Sequence, residues 1–252
     1  MKKILECVPN ISEGRNSEII QKVVNEIKNS EGVTLLDVDP GKATNRTVIT
    51  FAGEPESVIN AAFKLIKKAS ELINMQKHSG EHPRMGATDV CPLIPISGIS
   101  MEEAIVYSKK LAKKVGKELQ IPTYLYEHSA EKKYRKNLAD IREGEYEGLA
   151  SKITDKKWKP DFGPTEFEKI KKSGATAIGA RDFLIAYNIN LNTTSTRRAN
   201  AIAFDVREKG RILRKNNSLT GKIIKDKNGE TIWTPGSLKH VKAIGWFIEE
   251  YG

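Results

Sequence analysis

The sequence predicts an α/β protein: an α+β sandwich of two ferredoxin-like, split βαβ subdomains, the second apparently truncated. Three observations carry this expectation. Short apolar runs alternate with amphipathic helices in the order βαββαβαβ from Ile4 to Tyr126. A polar, irregular stretch follows, from about Glu127 to Thr176. A new strand and helix pattern then opens near Gly179, which places the subdomains at 1–178 and 179–252.

The first run, Ile4–Val8, is short and apolar and reads as a strand. Asn16 is placed to cap a helix whose apolar residues Ile19, Ile20, Val23, Val24 and Ile27 share one face. Gly32 ends it, and Val33–Val38 and Thr47–Ala52 read as strands, the latter rich in β-branched residues. Pro55 opens a second helix with Val58, Ile59, Ala62, Phe63, Ile66, Ala69 and Ile73 at helical spacing. Val90–Ile96 reads as a buried strand. Ser100 and Glu103 form a capping box for a helix through Lys114, and Pro122–Tyr126 is the next strand. Helices are expected on one face of the sheet, and the polar stretch reads as a connector between lobes. In the second lobe, Phe183–Ile189 and His240–Ile248 read as strands, with a helix from Ser195 between them and Gly210 past its end. Ile223–Trp233 reads as a hairpin turning at Asn228–Gly229. One main helix and a few strands make a small core for a self-sufficient lobe.

Composition narrows the function classes. No run of 18 apolar residues exists, and the N-terminus lacks the apolar segment of a signal peptide, so a soluble cytoplasmic protein is expected. Cys7 and Cys91 are too few and too far apart for a disulfide scaffold and read as reduced, buried thiols. Lys and Arg outnumber Asp and Glu, 42 to 32, so anionic partners are favoured: nucleic acid, a membrane surface or an anionic small molecule.

The densest chemistry lies in the loop His78–Gly86, followed by Asp89 and Cys91, which holds two of the four histidines. An imidazole exchanges protons near neutrality. Glu81 and Asp89 are at hand to orient one, and Arg84 suits a carboxylate. A metal site is the rival reading, since His78 and His82 are four apart. Gly80 and Pro83 argue against a helix there, and the metalloprotease order of residues is absent, so no metal is expected.

Longer strings carry more information. CVPNISEG (7–14), LDVDPGKATNRTVITFAG (36–53), KHSGEHPRMGATDVCPLIPI (77–96), YLYE (124–127), IREGEYEGL (141–149), PDFGP (160–164) and GARDFLIAYNINL (179–191) closely resemble the formiminotransferase family, the transferase part of formimidoyltransferase-cyclodeaminases. The resemblance implies a glutamate formimidoyltransferase. Such an enzyme moves the formimino group between N-formimino-L-glutamate and tetrahydrofolate, its co-substrate, in histidine degradation. It implies two α/β subdomains facing a charged channel, a homodimer, and His82 as the catalytic histidine. It implies folate or substrate contacts at Asp39, Arg84, Gly163, Pro164, Thr165, Phe167 and Gly174. Two features depart from the pattern: the basic insertion-like stretch Glu168–Ser173, and a second lobe that stops at Gly252 where relatives continue.

Rival readings remain at this level. A relative acting on 5-formyltetrahydrofolate would share the folate motifs, and a short second lobe suits a non-catalytic, folate-binding subunit. RNA binding by a split βαβ unit needs exposed aromatics on its strands. Here aromatics are 7% of residues and the early strands carry Val, Ile, Leu and Thr, so no nucleic-acid partner is expected. Arg46, Lys171, Arg181 and Arg197 are further candidates to line an anion channel.

Overall fold

The computed structural model describes residues 1–185, 187–217 and 220–247. The chain forms two units, Met1–Ile185 and Ala186–Gly252. The first holds a mixed sheet. Its strands are β1 (Ile4–Cys7), β2 (Asn10–Ile11), β3 (Val33–Gly41), β4 (Arg46–Gly53), β5 (Thr88–Ser97), β6 (Thr123–Leu125) and β7 (Thr176–Ala180). The spatial order is β3, β4, the collinear pair β1 and β2, β5, β7, β6. Pairing is antiparallel from β3 to β5 and parallel through β7 to β6. The antiparallel part, with its two crossover helices, is a split βαβ unit as the pattern predicts. The last two strands extend it.

Helices α1 (Ser17–Lys28), α2 (Pro55–Leu72) and α3 (Met101–Lys114) cover one face. Asn16 caps α1 by accepting from Glu18 and Ile19 N–H, Pro55 opens α2, and Ser100 with Glu103 forms the capping box of α3. A cap contributes about 1 kcal/mol. Burying one Ile or Leu contributes about 1.5–3 kcal/mol, so packing decides which face turns inward. Ile20, Val23, Val24 and Ile27 of α1 and Val58, Leu65 and Ile66 of α2 meet Leu5, Cys7, Ile49, Phe51, Leu93 and Ile178.

The stretch 127–174 is not a connector between lobes. It folds back over the other face, where Tyr124, Tyr126, Val90 and Ala177 alternate with the first set. Ile141 of α4 (Leu138–Arg142), Leu149 and Ile153 of α5 (Leu149–Thr154), and Ile170 of α6 (Phe167–Ile170) complete this second core. Buried Arg135 ties it down, donating to Asp161 Oδ1 (2.9 Å) and to the Lys157 and Lys159 carbonyls. Helices therefore cover both faces at this end of the sheet. Strand β7 also corrects the sequence reading. It lies between β5 and β6, is fully buried and runs across position 178. Its small residues and Gly179 disguise it, and Tyr126 packs where a Gly179 side chain would stand.

In the second unit, α7 (Thr196–Val206) is capped by Ser195, and β8 (Arg211–Ile212) pairs with β9 (Trp233–Thr234). The turn at Asn228–Gly229 is present: Asp226 Oδ1 accepts from Asn228 and Glu230 N–H, and Gly229 has φ +81°. The hairpin around it is reduced to isolated bridges. The two long strands expected here are absent among the described residues. Phe183, Ile185, Tyr187 and Ile189 are exposed, residues 240–247 run without strand pairing, and Ile248 lies outside the described residues. A strand needs a neighbour to satisfy its N–H and C=O groups, and no described strand offers one. The described residues of this unit thus form one α-helix, a short 3-10 turn and a two-stranded ladder, not a second split βαβ unit.

Candidate active site

The loop before β5 is irregular, as Gly80 and Pro83 predict, so His78 and His82 do not share a helix face. Asn74 caps a single turn, Met75–Lys77, and the chain then runs extended. Asn45 anchors the loop. Its Nδ2 donates to the Ser79 carbonyl (2.9 Å), and its Oδ1 accepts from Gly14 N–H (3.0 Å). Gly86 and Gly174 lie back to back. Ala175 N–H donates to the Met85 carbonyl (3.0 Å) and Ala87 N–H to the Ser173 carbonyl (2.7 Å). A Cβ on Gly174 would stand 2.2 Å from the Met85 oxygen, so this crossing requires glycine.

The two histidines have separate jobs. His78 Nε2 lies 2.9 Å from the Asn45 carbonyl, and Arg84 Nε donates to His78 Nδ1 (3.2 Å). That combination fixes a neutral tautomer and uses both nitrogens, and burial lowers the pKa of His78. His82 is half-buried, with Nδ1 2.7 Å from the Pro83 carbonyl. A carbonyl only accepts, so Nδ1 carries the hydrogen and Nε2 carries the lone pair. Burial first, then the nearby Arg46 and Arg142 charges, push its pKa down to about 4, against the opposing pull of Asp89 and the Pro83 carbonyl. His82 is therefore neutral near pH 7. The Pro83 carbonyl orients it.

Arg84 takes a role different from the expected one. All five of its N–H groups face protein: Nε and Nη2 to His78, Nη1 to Glu145 (2.9 Å) and Glu147 (2.8 Å), Nη2 also to Glu147 (2.7 Å). No donor remains for a substrate carboxylate, so Arg84 braces the loop. Arg142 and Asp89 form a second brace: Asp89 accepts from Met85 N–H (3.0 Å) and from Arg142.

Asp39 is exposed on β3, opposite Val48 of β4. Asn10 is also opposite Val48, and Arg46 lies two residues before it, so Asp39, Asn10 and Arg46 share one sheet face. The expected folate residues divide. Phe167 stacks on Tyr146 at 5.9 Å, and Tyr146 N–H donates to the Arg84 carbonyl, which joins Phe167 and Gly174 to the histidine loop. Gly163, φ +91°, packs on Ile121 and Pro122, with Pro164 and Thr165 half-buried after it. The Phe162 carbonyl before it accepts from Thr123 N–H at the β6 edge (2.9 Å). Of the other basic candidates, Lys171 pairs with Glu168, Arg181 donates to the Asp182 carbonyl, and Arg197 is exposed on α7. Sequence reasoning missed Arg142, Asn10 and the Glu145/Glu147 pair. Their only trace was in the strings 141–149 and 7–14.

Among the described residues no group of three or more His, Cys, Asp or Glu is placed to hold a metal ion. Cys7 and Cys91 are free, buried thiols 3.5 Å apart, and burial raises the Cys7 pKa. No helix among the described residues is long and apolar enough to cross a membrane.

Residues 4–181 match the formiminotransferase domain, N-terminal subdomain, and residues 186–252 match the formiminotransferase domain. The formimidoyltransferase-cyclodeaminase of Dictyostelium discoideum is 49% identical over 251 residues, all of this chain and 43% of that protein. The Mus musculus protein of the same name is 47% identical over 99% of this chain and 42% of its own length. The glutamate formimidoyltransferase of Streptococcus pyogenes serotype M1 is 46% identical over 99% of this chain and 75% of its own length. The chain thus spans less than half the length of the cyclodeaminase relatives and three quarters of the Streptococcus one. With its sheet, its braced histidine loop and these matches along its length, the chain belongs to the formiminotransferase family.

Proposed function

We propose that the chain is a glutamate formimidoyltransferase, moving the formimino group of N-formimino-L-glutamate to N5 of tetrahydrofolate and releasing L-glutamate. The observation that carries this reading is His82: neutral at pH 7, its tautomer set by the Pro83 carbonyl, and flanked by Arg46 and Arg142. N5 attacks the amidine carbon, forming the N5–C bond. His82 Nε2 takes the N5 proton. The tetrahedral intermediate collapses by breaking the bond from that carbon to the glutamate nitrogen, to which the imidazolium returns the proton. The two arginines that disfavour the imidazolium make it a strong acid for the second step. Positioned proton transfer gives about 10²–10⁴-fold, and the rest comes from holding both substrates in place.

Tetrahydrofolate is a co-substrate here. We infer that Asp39 accepts pterin N–H groups and that Phe167 and Gly174 lie along the folate path. The Gly163–Thr165 segment supports this path through the β6 edge. In the same reading the enzyme works in histidine degradation in the cytoplasm, as a homodimer. The buried thiols suit a reducing compartment.

The test is His82→Ala, with formimino transfer assayed beside 5-formyltetrahydrofolate consumption. Transfer should fall at least about 100-fold with the fold intact. Turnover near wild type sinks the assignment, and turnover with the formyl substrate alone sinks the choice of donor.

A further inference from the structure

Arg46 is a half-buried cation of this face that Asp89 and Asp39 answer only at longer range. Among the described residues it makes no ion pair. Its Nε (2.9 Å) and Nη2 both donate to Asn10 Oδ1, a neutral acceptor. Asn10 is itself fixed, because its Nδ2 donates to the Val8 carbonyl (2.9 Å). The register against β4 runs unbroken from Cys7 to Asn10, so ordinary strand alternation puts Asn10 on the face of Arg46. One edge of the guanidinium is held, and Nη1 makes no hydrogen bond among the described residues. The other arginines near the loop are committed, Arg84 to Glu145 and Glu147, Arg142 to Asp89. Arg142 stands close enough to disfavour the charge on Arg46, and of the two carboxylates that favour it, Asp89 is already paired with Arg142 and Asp39 is exposed. A guanidinium without a direct ion pair is a ready partner for a carboxylate supplied from outside.

We propose that Arg46, aimed by Asn10, is the anchor for the α-carboxylate of the formimino donor. The proposal rests on the transferase reading above and names the specificity residue of that site. Both substrates carry carboxylates, and the chemistry selects between them. In formiminoglutamate the α-carboxylate sits on the carbon that bears the reacting nitrogen, so an anchor beside His82 reaches it. In tetrahydrofolate the glutamate tail is separated from N5 by the whole p-aminobenzoyl spacer. Asn10 is a positioning residue, since it acts through Arg46.

The first measurement is steady-state kinetics of Arg46→Gln. The KM for N-formimino-L-glutamate should rise about tenfold or more, the loss of a charge-assisted hydrogen bond, with the KM for tetrahydrofolate unchanged. Arg46→Lys should recover part of the loss, and Asn10→Ala should move the same KM by a smaller factor. A purely structural role for the Asn10–Arg46 pair would move both KM values together and overturn the proposal, as would no change in either. If the penalty appears with tetrahydrofolate but not with tetrahydropteroate, Arg46 serves the folate tail and the proposal is wrong. The second measurement needs no turnover. By calorimetry the wild-type protein should bind L-glutamate more tightly than L-isoglutamine, which has an amide in place of the α-carboxylate. Arg46→Gln should erase that difference. Equal binding of the two by the wild type overturns the anchor even if transfer still depends on His82. Transfer that persists in His82→Ala overturns the catalytic reading and leaves the calorimetric result standing.

Discussion

Replacing Arg142 by Gln should raise the pKa of His82. In the wild type it is held at about 4, against an ordinary 6.5. That difference corresponds to at most about 3 kcal/mol against the charged imidazole. Burial is the largest cause, and Arg46 and Arg142 follow. Removing Arg142 deletes one repelling charge and also releases Asp89, whose carboxylate favours the imidazolium. Both changes act in the same direction, while burial and Arg46 remain. The expected result is a partial return toward 6.5. The assay is an NMR titration of labelled imidazole, which also reads the tautomer: Nδ1 protonated, with Nε2 titrating. The same linkage has a sign for stability. A folded pKa below the unfolded one means that the unfolded chain binds the proton first. Stability contributed by neutral His82 is complete above pH 6.5 and is lost as pH falls toward 4. A wild-type value near 6.5, or a variant value that does not rise, refutes the electrostatic account of this site.

Two further perturbations probe the support of the loop. Arg84→Met should destabilise the protein by about 2–4 kcal/mol in urea unfolding, toward the lower end because Glu145 and Glu147 are exposed enough to rehydrate. A loss below about 1 kcal/mol would mean that the brace is not structural. Gly174→Ala places a Cβ 2.2 Å from the Met85 oxygen at φ +66°, and should cost at least about 2 kcal/mol and lower hydrogen-exchange protection at Ala87 and Ala175. Unchanged protection there would show that the Gly86–Gly174 crossing tolerates a side chain.

The amphipathic spacing in α1 and α2 and the capping residues Asn16, Pro55 and Ser100 were readable because they are local: each depends on neighbours within a few turns. His82 was readable through its nine-residue loop and the family resemblance. Strand β7 was not, because an interior strand of small residues gains its apolar character from what lies on either side of it. Phe183–Ile189 erred in the opposite sense, since a β-rich pattern becomes a strand only beside a partner.

By itself, the sequence determined the order of helices and strands in the first unit, the reduced thiols' separation along the chain, and the loop that holds the chemistry. Tertiary structure decided which charges answer one another. In the sequence Arg84 and Arg46 read alike as basic candidates for an anionic substrate. Only folding brings Glu145 and Glu147, some sixty residues on, to Arg84, and leaves Arg46 with Asn10. The charge of a site is a sum over groups distant in the chain, and the order of residues does not contain that sum until the sheet closes.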